Sequence, residues 1–181
     1  MVLLISIVSF GFVGAAAAAS RFAPYQTPKL ACGSVNLLFT GLPAYHPLVT
    51  QQGFDPALID AAVRADSASL LKAGYNVRVV LMGPEQNISV LANRIPGTNW
   101  NGVGVGNGVR SAGLPELIVR FEDILQLYHE RVPRAPVLFN YISNSTLFLW
   151  AAQRHFPLAN NCTNSPGKDL GFEVYCDICA Q

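Results

Sequence analysis

The segment that follows the third predicted strand combines glycines, an arginine and the start of a helix, and this combination could bind an anion. Gly106, Gly108 and Gly113 allow backbone N–H groups to converge, and Asn107 lies between the first two. Arg110 supplies a forked and permanently charged donor. A helix predicted to begin at Pro115 directs its positive end to the same place. These residues favour a phosphate or a carboxylate as ligand.

The alternative interpretation of Arg110 is a structural ion pair with a nearby carboxylate, for which Glu85 and Glu116 are the candidates. Three further polar side chains follow predicted strands and are expected at the same edge: Thr40, His46 and Asn140. His46 could act as an acid or a base, or it could cap its loop. Asn140 could likewise cap the helix that follows it. The candidate ligand-binding set is Thr40, His46, Gly106, Asn107, Gly108, Arg110 and Asn140.

Alternating strand and helix patterns are expected to position these residues. Short apolar runs predict strands over 35–40, 75–82, 100–106 and 136–141. Apolar stripes at helical spacing predict helices from Pro56 to before Gly74, over 88–95, from Pro115 through Tyr128, and from Asn144 or Ser145 to before Pro157. Asp55 is the predicted N-cap of the first of them. We therefore expect an α/β three-layer sandwich, Rossmann-like or flavodoxin-like, with a four-stranded parallel sheet in the order 2-1-3-4. In such a sheet the ligand crevice lies beyond the carboxyl ends of strands one and three.

Glycines alternate with other residues along the third strand and past its end: Gly102, Gly104, Gly106 and Gly108. A period of two places them on one face of the strand. Glycine weakens a strand, so this face must be approached closely, either by a helix or by a ligand. Both explanations stay open, and the inner and outer glycines could serve different ones.

Several classes of function lack their motifs. The glycine spacing is not that of a dinucleotide-binding loop, and the sequence contains neither a P-loop nor a G-x-S-x-G elbow. The three histidines have no metal-ligand spacing, so we predict no cofactor and no metal. A net charge of +1 with 13% charged residues gives no reason to expect nucleic acid as a partner. The motif Cys176-Asp177-Ile178-Cys179 resembles a redox C-x-x-C, although a structural disulfide is the simpler expectation.

The amino-terminal segment predicts secretion. Fifteen of the first 19 residues are apolar, and all 23 charged residues lie from Arg21 onward. We interpret residues 1–19 as a signal peptide, cleaved near Ala19 or Ser20, although no Lys or Arg precedes the apolar run. The alternatives are an uncleaved anchor and a mistaken start with a cytoplasmic protein. Residues 20–181 are expected to form one α/β domain, with a core over 32–158, an irregular tail over 159–181 and no membrane association once the leader is removed.

Glycosylation motifs and cysteines fit an extracellular protein. The acceptor pattern occurs at Asn87, Asn144 and Asn161. Four cysteines stand at the two ends of the mature chain and allow three pairings: Cys32, Cys162, Cys176 and Cys179. A bond from Cys32 to a tail cysteine would tie the tail to the domain.

Several short motifs of the sequence resemble those of a family of small fungal proteins. They are FTGLPAYHP (39–47), FDP (54–56), GYNV (74–77), GPEQ (83–86), WNGVGVG (100–106) running on to Arg110, LPE (114–116), RFE (120–122) and FN (139–140). The resemblance covers about residues 32–158, and shorter bacterial proteins look similar through the glycine-rich stretch. It implies a Rossmann-like domain. It implies no activity, so no catalytic residue is carried over.

Together these features predict a secreted Rossmann-like protein that binds a small anionic or polar metabolite at the carboxyl edge of its sheet. The alternative is a disulfide-tied glycoprotein that acts through its surface without catalysis. The two conflict at Asn144, because a glycan in the loop after strand four would crowd the crevice. Substrate, reaction and oligomeric state do not follow from the sequence.

Overall fold

The computed structural model describes residues 29–140, 147–159 and 162–179, and these form five strands and six helices. In chain order the elements are β1 (Asn36–Gly41), α1 (Pro47–Gln51), α2 (Pro56–Lys72), β2 (Asn76–Met82), α3 (Ser89–Ala92), β3 (Gly102–Val105), α4 (Asn107–Arg110), α5 (Pro115–Arg131), β4 (Val137–Phe139), α6 (Leu147–His155) and β5 (Asp169–Tyr175). The predicted α/β class is confirmed. The short helices α1 and α4 lie where loops were expected.

The strands form one parallel sheet in the order β4-β3-β1-β2-β5. The predicted order of the first four strands is therefore present, read from β2 to β4. The prediction of four strands was wrong, because β5 extends the sheet beside β2. The tail over 159–181 was expected to be irregular, yet it contains this strand. The order of the sheet reverses between β1 and β3, as expected.

The strand pattern of β5 is hidden by its local irregularity. Gly171 has a φ of +123°, and the register between β2 and β5 shifts beside Val77 and Arg78. The Asp169 side chain accepts a hydrogen bond from the Gly171 N–H at 2.9 Å. β5 is also an edge strand that pairs on one side only, with β2. Most of its side chains are half-exposed, so buried and exposed positions do not alternate clearly along it.

Alternate side chains of the central strands build a core on each face of the sheet. On β1, Leu38 packs on the face covered by α5, whereas Leu37 and Phe39 pack on the face covered by α2 and α6. Tyr128 of α5 and Leu70 of α2 are almost fully buried in these two cores. Burial on both faces explains why β1 is a continuous apolar run rather than an alternating one.

Two glycines of β3 are present because α6 packs closely over them. A Cβ on Gly104 would lie 2.5 Å from Phe39 Cδ1 and 2.8 Å from Phe148 Cε1. A Cβ on Gly102 would lie 2.8 Å from Phe156 Cε2. The rings of Phe39 and Phe148 stack with centroids 4.1 Å apart. The inner glycines therefore serve helix packing, which is one of the two explanations that the sequence left open.

Disulfides join Cys32 to Cys162 and Cys176 to Cys179. The first bond ties the residues after α6 to the start of the domain, where a bridge between Leu30 and Leu158 reinforces the attachment. Two disulfides fit an extracellular protein. Among the helices described here, none combines the length and the apolar character needed to cross a bilayer. The signal-peptide prediction concerns residues outside the described ranges.

Candidate functional site

A partly enclosed cavity of about 150 Å³ lies at the carboxyl end of β1, between α2, α4 and α6. Its walls are mainly apolar and include Phe54, Val63 and Phe148. The strand order predicts a ligand site at this position, because the chain leaves β1 and β3 toward opposite faces of the sheet and a crevice lies between them.

Five of the seven predicted ligand-binding residues line this cavity: Thr40, Gly106, Asn107, Gly108 and Asn140. Gly106 lies beside Gly41, and a Cβ there would be 3.5 Å from the Gly41 Cα. The Thr40 hydroxyl donates to the Val80 carbonyl at 2.7 Å, so its proton is already used. The four glycines therefore differ in their surroundings. A Cβ on Gly102 or Gly104 would come within 2.8 Å of an aromatic side chain, whereas a Cβ on Gly106 or Gly108 would have no neighbour nearer than 3.5 Å.

Asn140 provides an unused hydrogen-bond acceptor at the cavity. The residue is 7% exposed, and its Oδ1 is buried without a hydrogen-bond partner in the described part of the chain. A buried amide oxygen without a partner costs free energy, on the order of 1–3 kcal/mol. A ligand in the cavity that brings a hydroxyl or an N–H group would satisfy it once the Asn140 side chain turns Oδ1 toward the cavity.

Arg110 does not line the cavity. Its Nη2 donates to Asn107 Oδ1 at 2.9 Å and to the Asn140 carbonyl at 2.8 Å, and its guanidinium lies over the Phe139 ring. Among the described residues it forms no ion pair with Glu85 or Glu116. Arg110 therefore positions the two asparagines instead of presenting its charge to the cavity.

Sequence reasoning missed the carboxylate in the cavity wall. Asp66 is 4% exposed, and it accepts hydrogen bonds from the backbone N–H groups of Phe148 and Leu149 at 2.8 and 3.3 Å. It therefore connects the middle of α2 to the first turn of α6. One signal was available, since Asp66 falls on the apolar face that Val63 and Leu70 define.

His46 belongs to a second cluster outside the cavity lining. It is 1% exposed, its Nδ1 accepts from the Leu48 N–H at 3.1 Å, and its Nε2 lies 3.1 Å from Glu85 Oε2. Ligand-type atoms of His46, Glu85 and Cys176 all lie within 4.8 Å of one another. Spacing could not reveal this cluster, because its members come from three distant segments.

Glu85 is held as a charged group at this cluster. Desolvation raises the pKa of its carboxyl group, but hydrogen bonds from its own backbone N–H, from His46 and from the Asp177 N–H outweigh it, and the pKa is lowered. The buried Arg120 of α5 holds the surrounding loop through the carbonyls of Pro84 and Gln86. Burial lowers the pKa of Arg120.

Of the predicted glycosylation acceptors, Asn87 is exposed and its Oδ1 accepts from the Ser89 N–H at 2.9 Å. Asn144 and Asn161 lie outside the described residues.

Comparison of the chain with protein-family models, with curated proteins and with solved structures gives no match. The functional assignment therefore depends on the geometry of these two groups of residues.

Proposed function

We propose that this protein binds a small, neutral and largely apolar molecule that carries one hydrogen-bond donor. The observation that carries the proposal is that Asn140 Oδ1 is buried and has no hydrogen-bond partner among the described residues, at a mainly apolar cavity. A cavity of about 150 Å³ is large enough for a single six-membered ring. The donor of such a ligand would bond to Asn140.

Charge at the cavity favours a neutral ligand over the anion that the glycine-rich segment first suggested. Arg110 is engaged with Asn107 and Asn140, whereas the carboxylate of Asp66 lies in the wall. An anion in the cavity would therefore meet the Asp66 carboxylate, and the described lining contains no lysine or arginine to balance the charge. Extracellular action remains part of the proposal, and the two disulfides support it.

Nuclear magnetic resonance titration of the full chain with phenol, toluene and benzoate tests this proposal. The three probes share a ring and differ in the group attached to it. One hydrogen bond contributes about 1 kcal/mol, so phenol should bind about 5-fold more tightly than toluene. Benzoate should bind more weakly than either probe. Shifts should centre on the amides of Gly106 and Gly108.

Three variants make the test specific to the cavity. Asn140→Leu should abolish the preference for phenol over toluene. Val63→Phe should fill the cavity and prevent binding of both, whereas Val119→Phe on the exposed face of α5 should change neither. Equal binding by Val63→Phe and the native protein would show that the ring lies elsewhere, and the proposal would fail.

A surface-acting glycoprotein is the second candidate, and the exposure of Asn87 favours it. Expression in a fungal host, followed by intact-mass measurement of secreted protein with and without glycosidase, tests this function. A mass shift that peptide mapping assigns to Asn87 is expected. Unmodified protein in the medium would argue against it.

A further inference from the structure

The Cys176–Cys179 disulfide lies at the carboxyl end of β5, against the cluster formed by His46 and Glu85. Only Asp177 and Ile178 separate the two cysteines, and the Asp177 N–H donates to Glu85 Oε1 at 3.3 Å. Both oxygens of Glu85 are thus tied to the cluster, one through Asp177 and one through His46. A buried imidazole and a carboxylate beside a disulfide sulfur could transfer protons there.

Cross-linking of the chain does not explain this disulfide. Its cysteines are 3 positions apart, whereas Cys32 and Cys162 are 130 apart. The loop entropy that a disulfide removes from the unfolded chain grows with the length of the loop, so the short bond stabilises the fold far less. A bond that stabilises the fold less than the other disulfide does, and that lies beside polar groups, points to a chemical role.

Hydrogen bonding to His46 favours proton transfer over metal binding. Because Nδ1 accepts from the Leu48 N–H, it carries no proton, and the ring proton must be on Nε2. Nε2–H then donates to Glu85. A metal on Nε2 would move the proton to Nδ1, against the Leu48 N–H. The sulfur of Cys176 is moreover committed to a disulfide and offers no thiolate.

We propose that Cys176–Cys179 is a thiol–disulfide exchange site in which Glu85 carries the proton and His46 is a positioning residue. A substrate thiolate attacks Cys179 Sγ, so that the leaving atom is Cys176 Sγ, the sulfur that lies beside Glu85 and His46. The bond between the two cysteines breaks as the substrate–Cys179 bond forms. The electron pair goes to Cys176 Sγ, which takes through Glu85 the proton that the substrate thiol lost.

A second substrate thiol completes the reaction by attacking the substrate sulfur of the mixed disulfide. It forms the substrate disulfide and returns Cys179 as a thiol. In total, two substrate thiols are oxidised and the protein disulfide is reduced to a dithiol. A small disulfide such as oxidised glutathione reverses these steps and restores the bond. Ile178, which is 54% exposed between the cysteines, offers an apolar contact for a thiol-bearing peptide.

Redox titration of the folded full-length protein tests the exchange. The protein is equilibrated in glutathione buffers of graded ratio, trapped with N-ethylmaleimide and mapped by mass spectrometry. We expect Cys176–Cys179 to equilibrate with the buffer while Cys32–Cys162 stays oxidised. The protein should also accelerate oxidation of a two-cysteine peptide by oxidised glutathione at least 10-fold. Reduction of both disulfides together, or no acceleration, would overturn the proposal.

Glu85→Gln separates proton transfer from a structural role. The change preserves size and a hydrogen-bonding oxygen, so the variant should fold with Cys32–Cys162 intact. It should lower the exchange rate about 10-fold or more, within the range of general acid–base effects. Glu122→Gln, on the exposed side of α5, should exchange at the native rate. A native rate in folded Glu85→Gln would remove Glu85 from the reaction.

Discussion

The carboxylate of Asp66 accepts a hydrogen bond of 2.8 Å from the backbone N–H of Phe148, and this bond joins α2 to α6. Phe148 in turn stacks on Phe39 and forms part of the cavity wall. One buried side chain therefore fixes the start of a helix and the shape of the cavity at the same time. A substitution at Asp66 should affect both stability and ligand binding.

Asp66→Ala should lower the free energy of unfolding by about 1–3 kcal/mol, because the first backbone N–H groups of α6 lose a buried and charged acceptor. Urea denaturation measures this loss. Asp60→Ala on the same helix is the matched control, since Asp60 forms only a partly exposed ion pair with Arg64. Such pairs contribute about 0–1 kcal/mol. An equal loss for the two variants would show that the Asp66 contacts have no special value.

Gly104→Ala should destabilise the protein by about 1–3 kcal/mol, because its Cβ would overlap the rings of Phe39 and Phe148 in a packed core. Gly108→Ala should be neutral or slightly stabilising. Its Cβ has no neighbour closer than Leu42 at 3.9 Å, and alanine favours the helical conformation of α4. Thermal unfolding of the two variants provides the comparison. Similar melting temperatures for the two variants would contradict the claim that Gly104 is tightly packed and Gly108 is not.

Replacement of Cys32 and Cys162 by serine should lower the melting temperature by about 10 °C or more. The chain-entropy relation gives about 5 kcal/mol for a loop of this length and about 2 kcal/mol for that between Cys176 and Cys179. Replacement of the latter pair by serine should therefore cost less than half as much. Differential scanning calorimetry measures both. A larger loss from the Cys176–Cys179 pair would assign it a structural role.

Glu85 should contribute to acid sensitivity. Its pKa is lowered in the folded protein, so its contribution to stability is present above the unfolded value of about 4.3 and is lost as the pH falls through the folded value. Glu85→Gln should be less stable than the native protein at pH 7 and should lose less stability between pH 5 and pH 3. Melting temperatures across this range, with Glu122→Gln as control, measure the difference. Parallel curves for Glu85→Gln and the native protein would be inconsistent with the lowered pKa.

Local signals predict much of this fold. Asp55 accepts from the Ala57 N–H and Pro56 opens α2, as the Asp-Pro pair indicates, and Gly74 ends the turn after it with a φ of +99°. Strand–helix alternation predicts a parallel sheet, and the order of the first four strands is the one that half of a doubly wound fold has. β5 could not be predicted, because its pairing with β2 over some 90 residues outweighs an unfavourable local sequence.

The cavity was predictable from topology, but its chemistry was not. The carboxyl edge of β1 and β3 is a property of the sheet, so Thr40, Gly106 and Asn140 could be placed there in advance. The orientation of Arg110 depends on the Asn140 carbonyl and on the Phe139 ring, which the sequence does not bring to it. Likewise His46, Glu85 and Cys176 meet only through the final arrangement of loops.

The position of β5 in the chain determines when the sheet can be completed during synthesis. The edge of β2, which ends at residue 82, keeps its N–H and C=O groups unpaired until residues 169–175 emerge. Cys32 likewise cannot form its disulfide until Cys162 has been synthesised, 130 residues later. A nascent chain that folds from its amino terminus therefore has an exposed edge strand until β5 emerges and a reactive thiol until Cys162 emerges. Its biogenesis should depend on factors that shield both until translation ends.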